Sequence, residues 1–457
     1  MPPKIKLNNK KPIYIKFAQN IDFFDLFKKI EKVFDNCYIL ESLGQDGSRS
    51  RYHIIGFDPE EIISAKKNRL KIQNKNGKYI YDKNVENPYY ALREIMPQEA
   101  ITRQYAGGLL GYLGYDCVNY FEPSINVLLN KKFDQFKFGV YKDGLIYDKI
   151  TGEIYYFYFN KNRFDLIKKI SKEKFLPVKK LKIDFVKNTK TKKEYADIIR
   201  SVKNEILAGK IFQSVVGFKT EFNIMGDDIL IYEKLRRINP SPFMYYIKFG
   251  NEKIIGASPE LLFRLRQNEI ETFPLAGSIK RGKTKNEDKE LARQLLNDPK
   301  ERAEHSMLID LHRNDIGRVA KFGTVRVKNI MDIKKFSHIQ HISSEVSGVI
   351  KNGEDMFSAL ASNFPAGTLS GAPKIEAMKI IDREENEPRG VYGGAVGHFG
   401  FNNECSFAIP IRSLFIFGEY AYTQTGSGIV YDSSIKNEYQ EIINKMAAMR
   451  KTLSKFE

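Results

Sequence analysis

E-R-A-E-H-S-M-L-I-D-L-H-R-N-D, residues Glu301 to Asp315, is the stretch on which the reading of this chain turns. At 3.6 residues per turn, Glu301, Glu304, His305 and Leu308 stand at i, i+3, i+4 and i+7 and share one helical face. Carboxylates are rarely buried without partners, so this face meets solvent, basic side chains or a cation rather than an ordinary core. Alone, an E-x-x-E pair beside Lys300, Arg302 and Ser306 reads as a solvated face. The end of the chain alters that weighing. A helix expected from about Lys436 to Leu453 carries Glu438, Glu441 and Lys445 at i, i+3 and i+7, a second acidic stripe. Two such helices suit Mg²⁺, a hard cation that takes one or two protein carboxylates and keeps several waters. Zinc is disfavoured: there are 6 histidines in all, and His338 with His341 is not H-E-x-x-H.

With 457 residues, 42% of them apolar and 28% charged, the chain has the mass of two or three ordinary domains. It contains nothing near ~18 consecutive apolar residues. The start, M-P-P-K-I-K-L-N-N-K-K, lacks the apolar run of a signal peptide, so a cytoplasmic location with no membrane contact is expected. Cys37, Cys117 and Cys405 are odd in number and have no C-x-x-C spacing, which argues for reduced, buried thiols. The net charge of +18 raises nucleic acid as a partner. Yet the excess is scattered lysine without a recognisable nucleic-acid module, so no nucleic acid is expected. A non-catalytic basic binding protein is the remote alternative, and a small anionic substrate would be drawn to such a field.

Before residue 190 the text is strand-like, with runs at Tyr52 to Phe57, Lys78 to Tyr81, Phe138 to Tyr141 and Glu153 to Phe159, and helices near Asp22 to Val33 and Asn87 to Met96. Tyr38 to Gly56 and the glycine-rich Gly107 to Glu122 stand out. In the latter, Gly107, Gly108, Gly111 and Gly114 allow close backbone packing or positive φ. Lys161 to Lys193, lysine-rich around Pro177, marks a boundary between an N-terminal region, 1–190, and a C-terminal region, 191–457. Beyond it Thr191 and Glu194 form a capping box for a helix to about Ala208. A strand follows in which Gln213, Val215 and Gly217 share a face. Glu260 ends a hydrophobic strand behind a Ser-Pro turn, and a capped helix from about Lys285 leads into the opening stretch. Helices are expected near Met356 to Ala361 and Pro373 to Asp382.

Three glycine-rich pieces, P-A-G-T-L-S-G-A-P-K, Y-G-G-A-V-G and T-G-S-G-I-V, offer backbone N–H groups to an anion. With Tyr392, Arg412 and Lys445 they suggest carboxylate recognition, since Arg holds a carboxylate through two parallel hydrogen bonds. The residues themselves therefore point to a Mg²⁺-dependent enzyme acting on a small polycarboxylate.

Taken in order, A-G-K-I-F-Q, N-P-S-P-F-M, G-A-S-P-E, P-L-A-G-S-I-K-R-G, D-P-K-E-R-A-E-H-S-M-L-I-D-L-H-R-N-D-I-G, S-H-I-Q-H-I, F-P-A-G-T-L-S-G-A-P-K, Y-G-G-A-V-G, A-I-P-I-R-S and Q-T-G-S-G-I-V-Y-D-S resemble the chorismate-binding family. The match runs from about Thr191 to Ala447, more loosely into L-E-S and G-G-L-L-G-Y-L-G-Y-D upstream. The resemblance implies an α+β fold: two orthogonally packed antiparallel β-sheets flanked by helices, with the N- and C-terminal halves intertwined. It also implies roles. Glu304 and Glu441 would bind Mg²⁺, with Glu301 and Glu438 holding metal-bound waters. Tyr392, Arg412 and the backbone at Gly426, Ser427 and Gly428 would clamp the enolpyruvyl carboxylate of chorismate. Gly277, Ser278, Thr368 and Lys445 would line the ring site, Glu260 would protonate the departing 4-hydroxyl, and His341 would assist loss of pyruvate.

The same resemblance speaks to the product. Hydroxylating members place a lysine where Gln213 stands, to activate water, whereas glutamine fits ammonia as the nucleophile. Aminodeoxychorismate-forming members, of the folate pathway, often carry a lysine where this chain has Ala276. The expectation is therefore anthranilate, the first step toward tryptophan, with aminodeoxychorismate as the alternative. Ser278 in place of a usual threonine and Pro410 beside the clamp depart from the common pattern. No Cys-His-Glu amidotransferase segment is present, so a separate glutamine amidotransferase subunit is expected to supply ammonia. Leu40, Glu41, Ser42, Asn239, Pro240, Ser241, Pro242, Phe243 and Met244 would surround a feedback site for tryptophan between the halves.

Overall fold

The computed structural model describes residues 1–18, 21–43, 51–97, 100, 102, 105–174, 179–335, 339–454 and 456; Ser48, Arg49, Ser50, Pro177, Ser337 and His338 lie outside them. Runs whose side chains alternate between two faces become strands, and the strands assemble into two 12-stranded sheets, each a path of neighbours with one strand off it: Gly371–Ala372 against Gln213–Met225 in the first and Arg326–Lys335 against Ile339–Val349 in the second. Every pairing among the described strands is antiparallel. The first sheet runs Ile13–Lys16, Glu153–Tyr158, Asp143–Asp148, Tyr52–Phe57, Asn36–Glu41, Phe243–Phe249, Glu252–Ser258, Ser413–Phe417, Tyr420–Ile429, Gln213–Met225, Lys182–Asn188. The second runs Leu275–Lys280, Ile339–Val349, Glu269–Thr272, Leu261–Arg266, Cys405–Ala408, Ala395–Gly400, Gly108–Leu113, Phe136–Tyr141, Glu61–Lys66, Arg69–Asn74, Tyr79–Asn84.

The halves of the chain are intertwined, as expected. Asn36–Glu41 pairs with Phe243–Phe249 in the first sheet, and Gly108–Leu113 with Ala395–Gly400 in the second. The lysine-rich stretch holds the helix Phe164–Lys172 and the edge strand Lys182–Asn188. Tyr38, Ile54 and Tyr245 of the first sheet share a core with Leu110, Phe138, Phe263 and Phe407 of the second. Two further cores lie where helices cover the first sheet, one beneath Phe23–Val33 and Ile229–Ile238, the other beneath Lys192–Leu207, Lys374–Glu385 and Ile435–Leu453. The three cysteines are free and buried.

The opening stretch is helical, but the helix does not run on from Lys285. Lys285–Asn297 stops at Asp298, and a new helix, Pro299–Gly317, begins. The residue before a proline is pushed out of the helical region, and Asp298 sits at ψ 115. Its carboxylate caps the new helix by accepting from the N–H groups of Lys300 and Glu301. That restart sets Glu301 and Glu304 in the first two turns.

Two chain passages from one sheet to the other position the site. After Glu252–Ser258 the chain leaves the first sheet through Pro259 and Glu260 and enters the second at Leu261. After Cys405–Ala408 it returns through 409–412 to Ser413–Phe417. The two crossings lie side by side, Ile409 N–H donating to the Glu260 carbonyl at 3.1 Å and Ala257 N–H to the Arg412 carbonyl at 3.3 Å. In the second sheet, Gly111 is a close-approach position: a Cβ there would stand 1.9 Å from the Lys137 carbonyl oxygen. Gly111→Ala is expected to cost about 1–3 kcal/mol of stability, read as a lower urea midpoint than that of the parent chain.

Candidate active site

Where the crossings meet the two acidic helices, a cleft of about 290 Å³ opens. Glu260, His341, Gln213, Lys445, Gly277, Ser278, Thr368, Tyr392, Arg412, Gly426 and Gly428 all line it, with Glu301, Glu304, Glu438 and Glu441. Ser427 does not. Strand alternation turns its side chain to the opposite face, where its hydroxyl meets the Tyr195 hydroxyl at 2.7 Å.

Glu260 is the most perturbed acid of the cleft. It is buried, and desolvation pushes its carboxyl up to about 7, with Thr368, Lys445 and Arg412 pulling the other way. The Thr368 hydroxyl donates to Glu260 Oε1 at 2.8 Å, from the one-turn helix Gly367–Leu369. Arg412 is held at φ 52, a left-handed conformation that costs an ordinary residue strain and recurs at functional sites. His341 Nδ1–H donates to the Gly277 carbonyl at 2.6 Å. Burial, with Arg412 and Lys445 nearby, pulls its imidazole down to about 4, so the ring is neutral at physiological pH.

The acidic wall comes from the starts of Pro299–Gly317 and Ile435–Leu453. Glu304 and Glu301 are raised by desolvation first and then by like charge, Glu441 acting on Glu304 and Glu304 on Glu301. Glu438 is raised by desolvation too, with the Ser433 and Ser427 hydroxyls pulling the other way, and its Oε2 is buried with no hydrogen-bond partner among the described residues. Gln213 Nε2 donates to Glu304 Oε1 at 3.3 Å, and Lys445 Nζ bridges Glu441 at 2.6 Å and the Gly426 carbonyl at 3.0 Å. Hard oxygen donors in excess of nearby cations, one of them orphaned, fit a divalent cation. Among the described residues no three acidic, histidine or cysteine side chains stand close enough to form such a site by themselves. A cation here would need oxygens from water or substrate.

Lys300 is exposed, as a solvated face requires, but it also borders the cleft, and its charge lowers the proton affinity of Glu301, Glu304 and Glu438. Its i, i+4 relation to Glu304 carried that signal. Gln424, also on the wall, heads the motif Q-T-G-S-G-I-V. Further along the opening helix Leu308 also lines the cleft, whereas His305 Nε2 meets the Ser344 hydroxyl at 2.8 Å and Asp315 pairs with Lys374 at 2.7 Å.

A second cavity, about 370 Å³, lies between the sheets. Leu40, Glu41, Ser42, Pro240, Pro242, Phe243 and Met244 line it, joined by Arg264, Lys334 and His398 from the second sheet. Asn239 and Ser241 are buried beside it rather than in its wall, the Ser241 hydroxyl donating to the Asn239 carbonyl at 3.1 Å. Pro259 and Leu275 line both cavities.

A model of the chorismate binding enzymes matches residues 35–451. The chain belongs to this family. It is 50% identical to anthranilate synthase component 1 of Leptospira biflexa over 99% of this chain and 98% of the relative. It is 41% identical to the protein of the same name from Methanothermobacter thermautotrophicus, over 99% and 94%. The crystal structure of anthranilate synthase component I from Streptococcus pneumoniae superposes with a TM-score of 0.76 at 30% identity, covering 89% of this chain and 93% of that one. The menaquinone-specific isochorismate synthase of Escherichia coli, at 18% identity, 97% and 94% coverage and a TM-score of 0.73, shares the fold. No helix among the described residues is long and apolar enough to cross a membrane.

The raised carboxyl of Glu260 makes stability in this chorismate-binding fold depend on pH. Its folded-state value of about 7 exceeds its ordinary 4.5, so its contribution is complete below the ordinary value and fades as pH rises through 7. Glu260→Gln is expected to remove that loss, on the order of 3 kcal/mol, so that thermal scans from pH 5 to about 8 fall less steeply than for the parent.

Proposed function

We propose that this chain is the aminating component of an anthranilate synthase, converting chorismate and ammonia into anthranilate, pyruvate and water. The observation that carries this reading is a single cleft holding a buried carboxylic acid, Glu260, opposite a wall of carboxylates, with Gln213 rather than a lysine beside them. The 50% identity to a protein named anthranilate synthase component 1 supports it.

The chemistry follows from the groups present. Ammonia attacks C2 of the ring while the bond from C4 to its hydroxyl breaks. The hydroxyl leaves as water only if an acid protonates it, and Glu260, raised to about 7, still carries a proton near neutral pH. Thr368 keeps that carboxyl oriented. Arg412, Tyr392 and the backbone at Gly426 and Gly428 are disposed to hold the enolpyruvyl carboxylate. Loss of a C2 proton then expels the enol of pyruvate and makes the ring aromatic. His341, neutral at physiological pH, is the group in the cleft suited to accept a proton at this stage. Gln213 carries no basic group to activate water, and Ala276, buried in the cleft wall, brings no amine.

Glu304 and Glu441 would hold Mg²⁺, with Glu301 and Glu438 reaching it through water. The cation would neutralise this wall and receive the ring carboxylate of chorismate. A glutamine amidotransferase subunit would supply ammonia, in the cytoplasm. The cavity between the sheets would take tryptophan as a feedback inhibitor.

Purified protein with chorismate, Mg²⁺ and ammonium should develop anthranilate fluorescence with equimolar pyruvate; a folded sample that makes neither sinks the reading. Glu260→Gln should cut kcat by about 10²–10⁴, with the parent losing activity above pH ~7 as the acid ionises. Glu304→Gln should raise the Mg²⁺ concentration needed for half-maximal rate. Ser42→Phe should abolish inhibition by tryptophan while leaving turnover intact; inhibition that survives it contradicts the assigned cavity.

A further inference from the structure

The strand Gln213–Met225 forms one wall of the cleft, and its outer edge is covered in pieces. Gln213 and Ser214 pair with Gly371–Ala372, and Thr220 to Met225 with Lys182–Asn188. Between these, two side chains stand in for a strand. Arg389 Nη2 donates to the Val215 carbonyl at 2.7 Å, and Glu385 accepts from the Gly217 N–H at 2.9 Å. Arg389 grips Glu385 through two bonds, at 2.9 and 2.6 Å. Its Nη1 donates to the Leu369 carbonyl at 2.6 Å, and Gln424 donates to Glu385 at 3.2 Å. The guanidinium lies 4.6 Å from the Tyr115 ring centroid and 5.7 Å from that of Tyr392. The pair is 3% and 1% exposed.

Burying two charges costs solvation, and such pairs seldom stabilise a fold more than apolar residues of the same shape. What the guanidinium uniquely supplies is a planar fork that meets a carboxylate and two carbonyls at once. Most of what surrounds it adjoins the cleft. Val215, Leu369 and Tyr392 line it, as does Gln424, which donates to Glu385. We propose that the Arg389–Glu385 pair is a positioning device for the reaction, setting the Thr368 turn against Glu260 and fixing Val215 and Tyr392 in the cleft wall. The proposal rests on the reading of Glu260 as the proton donor.

Arg389→Lys keeps the charge and loses the fork; Glu385→Gln keeps one carbonyl acceptor. Both are expected to fold, with kcat falling about 10- to 100-fold and KM for chorismate moving far less. The alkaline limb of the kcat profile should move to higher pH, because the Thr368 bond that favours the ionised carboxylate is weakened. Arg412, Lys445 and His341, the other charged and titratable groups facing Glu260 in the cleft, are unchanged in both variants. Thr368→Val should give the same shift, and Arg389→Lys added to it should change little more. Hydrogen exchange at Gly217 and Gly367 to Leu369, which needs no turnover, should quicken in Arg389→Lys. If the parent chain makes no anthranilate, the functional reading fails and this exchange pattern alone decides the positioning claim. The proposal is overturned if Arg389→Lys folds with the parent's kcat, pH limb and exchange, if its effect multiplies with that of Thr368→Val, or if neither variant folds.

Discussion

The paired crossings between the sheets are the constraint on which the site depends. A strand interior commits its backbone groups to neighbours, but a passage between sheets frees the chain to aim side chains into the gap. Pro259 suits such a passage, having no N–H to leave unpaired. The hydrogen bonds from Ile409 to Glu260 and from Ala257 to Arg412 lock the crossings together. An acid and a guanidinium contributed from distant parts of the sequence thus share one corner. Desolvation raises Glu260 and lowers Arg412 from its ordinary range, so near neutral pH the corner holds an acid that keeps part of its proton beside a cation rather than a fully formed ion pair.

Charge in the cleft runs against that of the protein. A chain of net charge +18 concentrates carboxylates on two facing helix starts, where Lys300 and Lys445 answer them from the cleft wall. The positive ends of the helix dipoles favour carboxylates there, which makes the concentration tolerable without abolishing the repulsion. The residual strain in proton affinity at Glu301, Glu304 and Glu438 is the trace of that compromise.

Much of this was legible because local rules governed it. The 3.6-residue spacing marked Glu301 and Glu304, Thr191 and Glu194 announced a capping box that the structure contains, and the Ser-Pro turn singled out Glu260. What escaped depended on partners distant in sequence. Asn239 and Ser241 were grouped with a cavity whose wall they do not enter. Asp298 divides what reads as one helix because Pro299 acts on the residue before it. Arg389 and Glu385 gave no warning, since a side-chain pair replacing a strand has no periodicity.

The intertwining of the halves also bears on how the chain is made. Gly108–Leu113 cannot complete its ladder until Ala395–Gly400 has been synthesised, and Asn36–Glu41 waits for Phe243–Phe249. At ~5–20 residues per second, the longer wait lasts tens of seconds, with an apolar strand edge lacking its final partner. Closing such distant pairings is slow and exposes edges to other chains. The arrangement that gathers the site from both halves therefore lengthens the interval in which the nascent chain depends on protection from its neighbours.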